Sequence, residues 1–228
     1  MNNSLSGISS MATRQVLADV VADWHHFGGN ASFESLGGVD AAQRVRDGAK
    51  FDVVVLAAEA IDKLIDAGRI VADSKIDLMR SAVAIAVRAG APRPAVDTEA
   101  ALRAAVLSAR SIGCSTGPSG VALQKLFERW EIDASTGPSV VQAPPGVPVG
   151  TLIARGDVEL GFQQSSELMH LQGIDVIGPM PPGLEILTTF SGGVCTASTQ
   201  PDAARALLDF VRSPLADAAK WRHGMQPA

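Results

Sequence analysis

Four uncharged hydrogen-bonding side chains, Gln163, Gln164, Ser165 and Ser166, follow directly on the apolar run Val158-Glu159-Leu160-Gly161-Phe162. A related order recurs at three other places: Ser9 and Ser10 after "LSGIS", Gly37 and Gly38 after "ASFESL", and Ser115 to Gly120 after "SIGC". In each of these three an apolar run ends in small residues, and an amphipathic helix pattern begins. Such turns set amide N–H groups and hydroxyls at a helix N-terminus, where the helix dipole favours negative charge. Glycine there lets the backbone approach a ligand closely. The candidate anion contacts are therefore Ser9, Ser10, Gly38, Val39, Ser115, Ser119, Gly120, Gln163, Gln164 and Ser165, with Arg80 and Ser81 beside them. Amide side chains suit carboxylate, hydroxyl and carbonyl groups alike, and a guanidinium at Arg80 would grip a carboxylate bidentately. The competing structural readings are helix caps for the serines and glycines, a polar turn for the glutamines, and an ion pair with a nearby aspartate for Arg80.

Other chemistries are poorly supplied. Glu59, opening a helix pattern after "VVVLAA", is the candidate general base, although a carboxylate there is also a plain dipole partner. Cys114 precedes a helix start, where a thiolate would be favoured; a buried strand cysteine is the competing reading. His25 and His26 lie off the apolar stripe of the first helix, and His170 and His223 lack an evident partner. No metal ligand set and no cofactor motif is present: the phosphate-loop and G-x-G-x-x-G patterns are both absent.

The elements that must position these residues alternate. Apolar strand runs at 5–9, 31–36, 51–57, 81–88, 111–115, 158–162 and 174–178 are interleaved with helix patterns at 12–27, 40–48, 59–68, 97–109, 119–130 and 148–156. An extended stretch at 184–197 and two helices, 201–213 and 214–224, close the chain. Ser135 to Pro148 reads as the one loop-rich stretch. The pattern predicts an α/β architecture. Two successive α/β sets with a returning strand near residue 190 predict two lobes, with a binding cleft between them.

The chain has 228 residues, 46% hydrophobic and 19% charged, with a net charge of −5. That balance argues against nucleic acid as a partner, and no apolar run is long enough for membrane insertion. "MNNSLSGISSMATRQVL" has no leader-like character. The expected location is cytoplasmic if Met1 is the native start, and periplasmic if a leader has been removed.

"FDVVVLAAEAIDKLIDAGRI" and the serines of "GISS" resemble the molybdate-binding type of periplasmic substrate-binding protein, within the type II superfamily. A more specific likeness, to the branch that contains aconitate isomerase, is carried by "IDLMRSAVAIAVRAGAPRP", "STGPSGVALQKLF", "PVGTLIARGDVELGFQQSSEL" and "GIDVIGPMPPGLEILTTFSGGV". The resemblance implies a two-lobed Venus-flytrap, periplasmic-binding-protein-like fold with a mixed sheet and flanking helices in each lobe. Lobe one would take residues 1–80 plus 188–228, and lobe two residues 81–187. It implies a small organic polycarboxylate as ligand, isomerised by proton transfer. The rival is a solute receptor that hands an oxyanion such as molybdate, or an organic acid, to an ABC permease. The chain has no tyrosine, so any tyrosine that a molybdate-type pocket uses is missing.

Overall fold

The computed structural model describes residues 4–132, 137–144 and 146–228. It divides into two compact units, Met1–Ser81 with Thr188–Ala228, and Ala82–Leu187.

The first unit is built on β1 (Leu5–Ser10), β2 (Ala31–Leu36) and β3 (Val53–Ala57), parallel in the order β2-β1-β3. β9 (Leu187–Val194) runs antiparallel to β3, and β4 (Ile76–Arg88) lies beyond it. The unbroken apolar run of β3 follows from burial on both faces. Val53 and Val55 join the core that Val16, Leu17 and Val20 of α1 (Arg14–His26) share with Leu207, Leu208 and Val211 of α8 (Pro201–Arg212). Val54 and Leu56 turn the other way, to Ala41 and Val45 of α2 (Gly38–Arg46) and to Ile61 and Leu64 of α3 (Ala58–Asp66). A strand's two-residue period makes that division obligatory.

The second unit repeats the scheme with β5 (Ser111–Cys114), β6 (Ser139–Gln142) and β7 (Leu160–Gln164), parallel in the order β6-β5-β7, and with β7 antiparallel to β4. β8 (Ile174–Pro179) also pairs with β4. One face packs Ile85, Leu160 and Phe162 against α4 (Glu99–Ser108) and α5 (Pro118–Arg129). The other carries α6 (Val149–Arg155), which is drawn close by glycine. A Cβ on Gly161 would fall 2.4 Å from Ile153 Cδ1, and one on Gly113 would fall 2.8 Å from Val149 Cγ1.

Three elements differ from the sequence reading. β4 begins at Ile76 rather than Ser81, because β10 (Met225–Pro227) pairs with its first half. The expected loop holds β6, which exists through its pairing with β5; residues 133–136 and 145 of that stretch lie outside the described residues. β7 extends through Gln163 and Gln164, which pair with Ala84 and Val83. The glutamines therefore belong to the strand and not to the turn after it.

Candidate functional site

In the first unit the candidate residues gather at the C-terminal ends of the parallel strands. Ser10 caps the single 3-10 turn Met11–Thr13, its hydroxyl accepting from Ala12 N at 3.4 Å. α2 begins beside it: a Cβ on Gly38 would lie 3.7 Å from Ser10 Oγ, so the helix start and this hydroxyl share one small space. Ala41 N donates to Gly37 O, which leaves the amides of Gly38, Val39 and Asp40 as the first-turn donors. Val39 itself is exposed. Ser9 differs from the expectation. It is fully buried, with its Oγ 2.9 Å from Ser35 Oγ, so it braces β1 against β2.

Arg80 and Ser81 do not act as a pair. As neighbours in β4 they point to opposite faces; Arg80 is exposed and Ser81 is buried. Among the described residues Arg80 has no ion pair, so the aspartate reading is not what holds it. Glu59 is exposed in the first turn of α3, the place of a dipole partner.

In the second unit the serines are again close, Ser115 Oγ and Ser119 Oγ standing 3.0 Å apart at the start of α5. Gly120 does not offer its amide to a ligand: the N–H donates to Gly117 O at 3.0 Å. Its glycine is dictated by packing, because a Cβ would fall 1.9 Å from the Ser115 carbonyl oxygen. Cys114 is buried, and burial pushes its thiol up, which speaks against the thiolate reading.

The glutamines diverge as strand neighbours must. Gln164 is buried on the α5 side with Phe162, and Ser165 opens the short helix α7 (Ser165–Leu168). Gln163 turns to the α6 side and is engaged at both ends. Its Oε1 accepts from Gly150 N at 3.3 Å, and its Nε2 donates to Glu167 Oε1 at 2.8 Å. It is therefore a clamp and not a free ligand contact. Glu167 was missed in the sequence. Burial raises its carboxyl to about 7, and the Gln163 hydrogen bond offsets this only in part. The available signal was the spacing: a carboxylate four residues beyond a glutamine that ends a buried strand.

A cavity of about 700 Å³ lies at the other end of β7, walled by apolar groups including Val87, Pro92, Ala105 and Leu160. It contains none of the candidate residues. Among the described residues no cluster of three or more His, Cys, Asp or Glu is placed to hold a metal ion, and no helix is long and apolar enough to cross a membrane.

Comparisons with known proteins bear on this geometry. A family model described as bacterial extracellular solute-binding protein matches residues 5–226. An aconitate isomerase from Pseudomonas sp is 40% identical over 177 residues, 77% of this chain and 67% of that protein. The periplasmic molybdate-binding protein of Azotobacter vinelandii superposes with a TM-score of 0.79 at 15% identity, covering 97% of this chain and 98% of that one. A sulfate-binding protein from Mycobacterium tuberculosis H37Rv gives a TM-score of 0.79 at 18% identity, covering 99% of this chain and 87% of that one. At such identities the likeness concerns the fold alone: it is the α/β fold of periplasmic binding proteins, as the sequence resemblance implied.

Proposed function

Since the chain belongs to the bacterial extracellular solute-binding proteins, we propose that it binds a small polycarboxylate anion and isomerises it by moving a proton. Binding is supported by the neutral donors at the C-terminal ends of the parallel strands in each unit. Ser10 with the α2 amides forms one set and Ser115 with Ser119 the other. Hydroxyls and helix-start amides hold anions without needing a basic surface, consistent with a net charge of −5.

The observation that carries isomerisation is the 40% identity to an aconitate isomerase. A substrate of that class, an unsaturated di- or tricarboxylate, has an allylic C–H made acidic by conjugation. Fixed N–H donors would stabilise the anion formed when its proton leaves. The test is to incubate the protein with cis- or trans-aconitate in D2O and follow it by proton NMR. Solvent deuterium should enter the methylene and vinyl positions as the isomers interconvert.

The second reading is a receptor that binds an oxyanion or organic acid and delivers it to an ABC permease. It is favoured by the family description and by the oxyanion-binding relatives of the same fold. Saturable binding with neither isomer interconversion nor deuterium entry would select it. For either reading the family points to the periplasm as the working compartment, which fractionation of cells carrying the full gene would test.

A further inference from the structure

We propose that the cavity of about 700 Å³ in the second unit is a binding site of its own, for a small monocarboxylate with an apolar body. Its carboxylate would meet Arg88, and its body would lie against Val87 and Leu160.

The walls follow from the sequence. Val87 stands near the end of β4 and Leu160 begins β7; the two are paired across the ladder, buried, and part of the cavity lining. α4 turns Leu102, Ala105 and Val106 into the core. Along the cavity it presents Ala101, Ala104 and Ser108, spaced as neighbours on one helix face. A leucine at any of these three positions would occupy the space that the small side chains leave. Opposite runs the loop at 91–95, where Pro92 and Pro94 fix the backbone. That loop is tied down, because Asp175 accepts from Gly90 N at 3.2 Å and pairs with Arg93 at 3.0 Å. Walls held in this way need little ordering when a guest enters, which leaves more of the contact energy for binding.

Charge selects the guest. The charged residues that line the cavity are Arg88, Arg110 and Glu159. Glu159 accepts from both N and Nε of Arg110, so those two charges answer each other. Ser108 Oγ donates to Ala104 O at 2.8 Å and stays within its own helix. Among the described residues Arg88 has neither an ion pair nor a side-chain hydrogen bond. Its guanidinium lies beside the end of α6, with Nη1 3.6 Å from where a Cβ on Gly156 would stand. One uncompensated cation at an apolar wall suits one anion, and a planar fork suits a carboxylate. A polycarboxylate fits poorly, since its other charges would lose water against alanine, proline and leucine with nothing to pair them. The volume is that of a small-molecule site. The guest is thus a different chemical class from the anion assigned to the serine turns, none of whose residues lines this cavity.

Titration calorimetry of the full chain with 2-naphthoate tests this, with 2-naphthamide as the uncharged counterpart. The acid should bind saturably and about tenfold or more tighter than the amide, the scale of a hydrogen-bonded charge. Arg88→Ala should remove that preference while the amide's affinity stays within about threefold. Ala104→Trp obstructs the cavity from an exposed helix position. It should abolish binding of both compounds and leave the melting temperature within about two degrees of wild type. cis-Aconitate should not compete with the naphthoate. No saturable binding by wild type, or binding that survives in folded Ala104→Trp, overturns the site. Competition by cis-aconitate also overturns it, by placing the naphthoate in the serine turns. Equal affinity for acid and amide overturns the role of Arg88. A dimer of wild type that Ala104→Trp dissociates would give the groove to a second copy of the chain instead.

Discussion

The two units carry similar strand ends put to different use. In the first, the donors are a hydroxyl and helix-start amides around an open glycine; a methyl on Gly38 would meet only the Ser10 side chain, its Oγ at 3.7 Å and its Cβ at 4.0 Å. In the second, the corresponding turn is filled by its own backbone, with Gly120 pressed to 1.9 Å of the Ser115 carbonyl, counted from where its Cβ would stand. The second unit also holds a glutamine–glutamate pair on the α6 side of β7, and the first has no counterpart among its candidate residues. The same supersecondary unit thus leaves room for a guest in one place. In the other the glycine serves backbone packing, and only the Ser115 and Ser119 hydroxyls remain to meet a guest. A glycine at a helix start therefore has no single meaning.

The largest expected effect breaks that comparison outright. Gly120→Ala should destabilise the protein by more than about 4 kcal/mol or prevent folding, because the clash is with a backbone carbonyl that has no rotamer to change. Gly38→Ala should leave the melting temperature within a degree or two of wild type, since ordinary contact is all that the methyl meets and alanine suits a helix better than glycine. It should still weaken anion binding roughly tenfold, by filling the space in front of the α2 amides. Thermal melts with and without a carboxylate ligand separate the two.

Next comes the pH dependence of stability that follows from Glu167. Its folded value of about 7 stands above the ordinary 4.5. Below about pH 4.5 both states hold the proton and there is no penalty. Between there and about 7 the unfolded chain ionises first, so stability falls as pH rises, and above about 7 the loss is complete and constant. A shift of that size corresponds to about 3 kcal/mol. Glu167→Gln should be flat where wild type declines, when denaturant melts are compared at pH 5 and pH 8.

How far the letters reach is clear from these same residues. The α/β fold was legible because β3 is apolar at consecutive positions and the helices carry stripes, so burial on two faces writes itself into composition. The serine turns were legible as helix starts. Ser9 was not legible as buried, because a serine that braces two strands and one that meets a ligand look alike until the neighbour, Ser35, is known. Gln163 reads as an anion contact from the sequence because strand and turn differ by a register that only pairing with Ala84 sets. Glu167 was passed over because its environment comes from segments distant in sequence: Gly150 engages Gln163, and the desolvation is tertiary.

A smaller effect sharpens the binding half of the comparison. Ser10→Ala should weaken carboxylate binding about tenfold, the scale of one hydrogen bond to a charged group. Ser119→Ala should do so less, because Ser119 already shares a hydrogen bond with Ser115 at 3.0 Å and has less to give a ligand. Titration calorimetry of both variants decides the order, and a larger loss at Ser119 would reverse the roles drawn above.

The smallest effect is expected at Glu59. It is exposed at the start of α3, where water screens its charge and its main interaction is with the helix dipole. Glu59→Gln removes the charge but keeps the shape, so the stability change should stay within about 0.5 kcal/mol, as for most exposed positions. Deuterium exchange should be unchanged for the same reason. A carboxylate out in solvent at a helix start has nothing to hold it against a substrate carbon. If Glu59→Gln abolishes exchange, the first unit supplies the base, and Glu59 is more than a dipole partner.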